Sequence, residues 1–448
     1  MNQTQKSVLV VGSWHLGSVV GVGIASLGHT VNLWDQNERT ASSWKSGAPP
    51  IHEPGLAELA RPHFNENLFW ATDLAKTVSK ADWIVLAYDT PINEKDEVIL
   101  DSVQEGLKKV LENPISPNTN FFFTSQLPVG TSRSYLKQIQ EQFPAWSGHV
   151  LYQPENLRLG TALESLKNPD RIALGFDTED AKKQDALENE IRSLFGLEKT
   201  PVDRMSLESA EMVKHALNAY LATCVVFGNE LSEICEKTGA NAWDVSRSLK
   251  KDSRVGAKAP LFPGLAFAGG TLARDVKTLS GFKTSSGNLF SKLYESNENR
   301  NAWVITQLID RLGSLRGKTI LLLGVTYKAG TSTVRRSPAI QIGNLLRQAG
   351  ADCLAIDPMA DLTELTPAEN RDVPFKLSKA PDGLFEKSDA VVLVTDWPEF
   401  TSWNWTNLKT KGDSILVDTK NFLSKLNGTH WKRTVPGVPT LIAESENV

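Results

Sequence analysis

The chain has 448 residues, 40% of them hydrophobic, which is apolar material for about three domains at roughly 100–200 residues each. Its 48 basic residues against 52 acidic ones leave a formal charge of -4, so no global field favours nucleic acid as a partner. No apolar run approaches the roughly 18 residues that cross a bilayer, and the N-terminus lacks the apolar core and cleavage site of a signal peptide. With Cys224, Cys235 and Cys353 in neither a CxxC pair nor a metal spacing, the expectation is a cytoplasmic protein without a structural metal.

In chain order, the first strand-like run is Val8 to Val11, ending at Gly12, and the second is Thr30 to Trp34, ending at Asp35. Trp83 to Ala87, Asn120 to Thr124 and His149 to Tyr152 follow, with helix-length segments between most of them. Short apolar strands separated by helices predict a parallel sheet covered on both faces. From about Ser206 to Lys237 there is no proline and one glycine, Gly228. Met212, Val213, Ala216, Leu217, Tyr220, Leu221 and Cys224 recur there at spacings of three and four, which predicts one helix about 48 Å long at 1.5 Å per residue. Such a helix outgrows one small domain, so it is expected to connect domains or to dimerise. A second helical stretch is expected from about Asn288 to Leu312.

At Thr319 the strand–helix alternation restarts. Ile320 to Leu323, Cys353 to Ile356, Ala390 to Val394 and Ile415 to Val417 read as strands, each followed by polar or turn residues. The expected fold class is α/β: two Rossmann-like, doubly wound domains joined by a central helical domain. The expected boundaries are 1–200, 201–315 and 316–448.

A strand, a glycine turn, a helix, a second strand and an acid form the dinucleotide-binding order. Here the turn is Gly12-Ser13-Trp14-His15-Leu16-Gly17, and Asp35 lies 23 residues after Gly12. Gly12 suits the tight turn, Gly17 suits helix–sheet packing, and Asp35 suits a ribose of NAD better than the phosphate of NADP. The middle glycine of GxGxxG is replaced by Trp14, whose ring stands where backbone should approach pyrophosphate. An α/β fold that binds no dinucleotide accounts for the same residues.

On the long helix, Lys214 and Asn218 are four apart and share a face. A lysine and an asparagine facing a cleft suit the oxygen of an alcohol becoming an aldehyde, because both stabilise negative charge there; a solvated helix face is the plainer reading of the pair. Downstream, Pro263-Gly264-Leu265-Ala266-Phe267-Ala268-Gly269-Gly270-Thr271-Leu272-Ala273-Arg274-Asp275 is a glycine-rich loop that lets backbone come close to a ligand, or simply a mobile connection.

Together these segments resemble the UDP-glucose/GDP-mannose dehydrogenase family over nearly the whole chain. Ile51-His52-Glu53-Pro54-Gly55-Leu56 resembles that family's PIxEPGL, and Thr90-Pro91 the end of its VPTP. Ser125-Gln126-Leu127-Pro128-Val129-Gly130-Thr131 resembles STVPVGT, and Pro154 to Ala162 resembles PEFLREGTA. Glu211 to Glu230, with Lys214, Asn218 and Asn229-Glu230, matches its helix. Lys328 to Pro338 resembles KPxTDDxRESP, and Asp357-Pro358, Thr395-Asp396-Trp397 and Asp418-Thr419-Lys420-Asn421 follow its DP, TEW and DGRN.

The resemblance implies oxidation of the C6 alcohol of a nucleotide sugar, most simply a UDP-sugar, with NAD as cofactor. It implies that Lys214 and Asn218 hold the reacting oxygen, that Asp275 helps a water act as base, and that Glu155 assists a later hydrolysis. Gly12, Trp14, His15, Leu16, Gly17, Asp35, Thr90, Gln126 and Arg335 fall at cofactor positions. Leu157, Lys214, Arg254, Phe267 and Lys328 fall at substrate positions, with Arg254 reaching a neighbouring subunit's site. The last domain is implied to bind the nucleotide, and the long helix to make a homodimer; no nucleic acid or membrane partner is implied.

The departures are lopsided. The family loop GFGGSCFxKD has its cysteine at the position of Thr271 and its lysine at Arg274. Gln126 replaces a threonine, and Leu159 a glutamate. The substrate side is retained, while the cofactor and nucleophile side is altered. A thiol ionises near pH 8.5 or below, whereas a threonine hydroxyl needs a positioned base. Cys224 lies six residues beyond Asn218, about 240° round the helix at roughly 100° per residue, and so faces away. The expected chemistry is therefore one two-electron step, or in the alternative a nucleotide-sugar-binding protein without catalysis. A 2-hydroxy-acid-type dehydrogenase is disfavoured by the second α/β domain from Thr319.

Overall fold

A computed structural model describes residues 5–93, 97–155, 157, 160–267, 270–285, 287–365, 372–426 and 429–439. The chain divides into two compact units, Met1–Leu217 and Asn218–Val448.

The first unit is built on eight strands: β1 (Ser7–Val11), β2 (Thr30–Trp34), β3 (Leu68–Trp70), β4 (Trp83–Leu86), β5 (Asn120–Phe123), β6 (Val150–Tyr152), β7 (Ile172–Phe176) and β8 (Val202–Ser206). Their order is β3-β2-β1-β4-β5-β6-β7-β8. Every neighbouring pair is parallel except β6 and β7, which run antiparallel with Leu151 opposite Phe176. The order reverses beside β1, where a doubly wound sheet opens a crevice at the strands' carboxyl ends. β1 is a run of branched residues, buried from Val8 to Val11, because helices cover both faces.

The second unit carries β9 (Thr319–Leu323), β10 (Asp352–Ile356), β11 (Lys376–Ser378), β12 (Ala390–Leu393), β13 (Ile415–Asp418) and β14 (Lys432–Thr434). All are parallel, in the order β11-β10-β9-β12-β13-β14. Counted from its own first strand, that is the order of the first six strands of the other sheet. The turns match as well. Gly12 follows β1 with φ +87° and donates its N–H to Trp34; Gly324 follows β9 with φ +76° and donates to Ile356.

The long helix covers Leu207–Thr238, 32 residues, within a residue of the expected bounds. The expected second helix is broken: Leu289–Arg300 and Ala302–Leu312 meet at Asn301. The Asn301 side chain is committed elsewhere, accepting the Ala266 N–H at 3.0 Å and donating to Gln341. Both parallel sheets and the central helix bear out the expected fold class. Among the described residues, no helix is long and apolar enough to cross a membrane.

Candidate functional site

In the first unit the site grows from the turn after β1. A Cβ on Gly12 would lie 2.7 Å from the Tyr88 ring, and one on Gly17 would lie 1.7 Å from the Gly12 carbonyl oxygen. Both positions therefore require glycine. The Ser13 N–H donates to Asp35 at 2.7 Å, and the Asn37 N–H donates to its other oxygen at 2.8 Å. Burial pushes the Asp35 carboxyl above its usual range, and the Asp89 charge adds to that push against the two amide bonds. A carboxylate accepts at about four lone-pair positions, so capacity for a ribose hydroxyl remains. Trp14 is 47% exposed at the tip of the turn.

The helix Leu16–Ser26 begins here, and its first amides do not face open space. His15 and Leu16 donate their N–H groups to Asp89 Oδ2 at 3.3 and 3.2 Å. The His15 Nδ1 lies 3.8 Å from Asp89 Oδ1, and its Nε2 lies 3.2 Å from Glu53. Glu53 also accepts the Gly160 and Ala162 N–H groups at 2.9 and 2.8 Å, tying the Ile51–Leu56 motif to the Gly160–Ala162 segment. Burial works against a charged His15, yet Asp89 and Glu53 outweigh it and hold the imidazolium above histidine's usual value. Burial likewise acts to raise Glu53, but the two amides and His15 win and hold its carboxyl low. Thr90 stands next to Asp89, Gln126 is buried beside Ser125, and Ser125 Oγ accepts the Tyr88 N–H at 2.8 Å.

Further along this unit, Leu157 packs on the core beneath the first helix, and Glu155 is half-buried. Leu159 lies outside the described residues. The buried Glu211, on the long helix, accepts the Gly130 and Ser132 N–H groups at 2.5 and 2.7 Å, fixing the start of the helix Thr131–Gln142. Lys214 is buried one turn later.

In the second unit, Asn218 donates through its amide nitrogen to Asp275. Asp275 is fully buried on the helix Thr271–Ser280, where Thr271 is the exposed first residue and Arg274 a buried neighbour. The preceding loop is held by side chains of helices. Asn229 accepts the Gly264 N–H at 2.9 Å, and Asn297 accepts the Phe267 N–H at 2.9 Å. Arg300 donates to the Gly264 carbonyl at 2.9 Å and pairs with Glu233 at 2.6 Å. Arg254 is exposed and pairs with Asp252 at 2.7 Å. All three cysteines are free: Cys224 is buried among Ala259 and Leu261, and burial pushes the Cys353 thiol up to about 12.

Lys328 and Arg335 are exposed on the loop between β9 and the helix Pro338–Gln348. Buried Asp357, after β10, anchors that loop by accepting the Val325 and Thr326 N–H groups at 2.7 and 3.0 Å. Trp397 Nε1 donates to the same oxygen at 3.0 Å. The DP and TDW motifs are thus two halves of one anchor. Asp418 plays a like part after β13, accepting the Leu423 N–H at 2.7 Å and the buried Arg433 guanidinium at 2.6 Å.

Sequence reasoning missed Asp89 as a residue of this site and gave Glu53 no role. Glu53 sat inside a recognised motif, and Asp89 immediately precedes Thr90-Pro91. As for a dinucleotide, Gly12, Gly17 and Asp35 provide the tight turn, the close packing and the ribose acid that its adenosine end needs.

Comparison with known proteins gives a consistent result. Residues 6–195 match the NAD binding domain of the UDP-glucose/GDP-mannose dehydrogenase family, 208–302 its central domain, and 321–425 its UDP binding domain. The UDP-glucose 6-dehydrogenase TuaD of Bacillus subtilis (strain 168) is 31% identical over 425 residues, covering 94% of this chain and 90% of the relative. The UDP-glucose 6-dehydrogenase of Rhizobium meliloti (strain 1021) is 33% identical over 426 residues, covering 93% and 96%. Among solved structures, a UDP-glucose dehydrogenase from the hyperthermophilic archaeon Pyrobaculum islandicum matches with TM-score 0.79 at 25% identity, covering 98% of this chain and 99% of that one.

Proposed function

Because the chain belongs to the UDP-glucose/GDP-mannose dehydrogenase family, whose N-terminal domain binds NAD, we propose that it is an NAD-dependent oxidoreductase acting on a UDP-sugar and performing a single two-electron step. The observation that supports the chemistry is the contact between Asn218 and the fully buried Asp275, one helical turn from Thr271.

Gly12, Gly17 and Asp35 would hold the cofactor, which accepts the hydride from the alcohol carbon. The chain's own part is proton and charge management. A water held by Asp275 takes the hydroxyl proton. Lys214 and Asn218 stabilise the negative charge that develops on the oxygen. Loss of one hydride and one proton leaves an aldehyde or its hydrate. Converting that aldehyde to an acid by the family's covalent route requires a nucleophile to add to the carbonyl carbon. Thr271 offers only a hydroxyl there, so the covalent intermediate does not form and Glu155 has no adduct to hydrolyse. Phe267, Leu157, Arg254 and Lys328 contact the nucleotide sugar, Arg254 from a neighbouring subunit. The second copy docks along the central helix, where Tyr220, Phe227 and Ile234 are each at least half exposed at seven-residue spacing.

The test is purified protein with NAD and a panel of nucleotide sugars, reading NADH and product mass together. One NADH per sugar and an aldehyde-level product are expected; two NADH and a uronic acid overturn the single step. Tight binding of a nucleotide sugar with no NADH from any of them favours the second reading, a nucleotide-sugar-binding protein without catalysis. Trp14 at the cofactor turn is the feature that favours it.

A further inference from the structure

The start of the helix Leu16–Ser26 is where a dinucleotide's pyrophosphate belongs in this fold, since free amides and the helix dipole both favour an anion there. In this chain an anion is already present. Asp89 lies within 3.3 Å of both the His15 and Leu16 amides, and the His15 ring flanks it. The His15 ring is itself fixed by Glu53, so the donors converge on Asp89 from a rigid base. In the VPTP form that Thr90-Pro91 resembles, the residue preceding Thr-Pro is a proline, which has no charge.

We infer that Asp89 is an affinity-determining residue that competes with the pyrophosphate of NAD for the helix N-terminus. This rests on the reading of the N-terminal unit as the cofactor domain. A dinucleotide entering the turn must displace the carboxylate from two backbone N–H groups and then sit beside it. Both the lost bonds and the like-charge repulsion act on the pyrophosphate. Adenosine, which reaches only the Asp35 end, does not meet either. Asp89 therefore lowers affinity for NAD and ADP-ribose and leaves adenosine untouched. Trp14, the residue that narrows the approach, lies next to this contact in sequence, so the pyrophosphate meets an obstacle and a rival anion at one place.

The experiment is calorimetric titration of the full chain with NAD, ADP-ribose and adenosine, comparing the native protein with Asp89→Ala and the isosteric Asp89→Asn. Thermal melting and UDP titration report whether each variant is folded. Removing the charge is expected to tighten NAD and ADP-ribose at least tenfold in Asp89→Ala, with the same direction in Asp89→Asn and adenosine changed less than twofold. Unchanged or weaker NAD binding in the folded variants overturns the inference while leaving the dehydrogenase reading intact. An equal gain for adenosine also overturns it, because the effect would not lie at the pyrophosphate. If NAD and ADP-ribose bind to none of the three proteins, the inference and the cofactor reading fail together.

Discussion

Thr271 is the residue on which the chemistry turns. It is the exposed first residue of its helix, so a thiol there would be accessible and close to amides that favour a thiolate. Thr271→Cys is expected to raise the yield from one NADH per sugar towards two, with acid appearing in the product mass; an unchanged yield would mean that Gln126 or the altered cofactor side limits the second step. Asp275→Asn removes the proton acceptor while keeping shape. Turnover should fall by about 10²–10⁴-fold, with UDP-sugar affinity within a few-fold of native by calorimetry. His15 gives a pH signature. Its folded pKa is raised by Asp89 and Glu53, so its contribution to stability is complete below the unfolded value near 6.5 and is lost as pH rises through the folded value. The melting temperature of His15→Gln should therefore trail the native protein more at pH 6 than at pH 9, and a gap that is constant across that range would exclude the role.

At the scale of elements, the anchors matter more than the loops they hold. Arg433 and Asp418 form a buried pair at the end of β13, both nearly inaccessible. Arg433→Met strands the carboxylate, and removing one partner of a buried pair costs about 3–5 kcal/mol. The urea midpoint of the second unit should drop accordingly; a shift within error would show that water replaces the guanidinium. These anchors also mark the limits of reading a sequence. β1, β2, β4, β5, β9, β10, β12 and β13 were legible because each is a buried apolar run bounded by turn residues. β3, at Leu68–Trp70, is too short to show a period. β8, Val-Asp-Arg-Met-Ser, is a largely exposed edge strand whose polar residues look like a loop. The antiparallel β6–β7 pair has no signature in either segment, since direction is decided by the path between them. The catalytic trio of Lys214, Asn218 and Asp275 was legible by spacing and resemblance. Asp89 was not, because capping a helix 74 residues away is a relation in space that no local pattern records.

At the scale of the molecule, the central helix should govern assembly. Tyr220, Phe227 and Ile234 recur every seven residues, nearly two turns of helix, and so share one face. Sedimentation of the native chain at micromolar concentration is expected to give a dimer, and the pair Phe227→Glu with Ile234→Glu a folded monomer. A native monomer at that concentration would remove the proposed role of Arg254 in a neighbour's site. The two sheets carry a different lesson. Each opens with five-residue strands in full register, Ser7–Val11 on Thr30–Trp34 and Thr319–Leu323 on Asp352–Ile356. Each then places a positive-φ glycine after the first strand and a buried aspartate after the second, and that aspartate accepts amides from the first turn. Two halves that solve the same turn with the same two residue types have the mark of a duplicated ancestor. On that history the older protein was a single nucleotide cradle that paired with its own copy. Division of labour came later, when one copy's turn passed directly into a helix and the other's lengthened into the loop that carries Lys328 and Arg335.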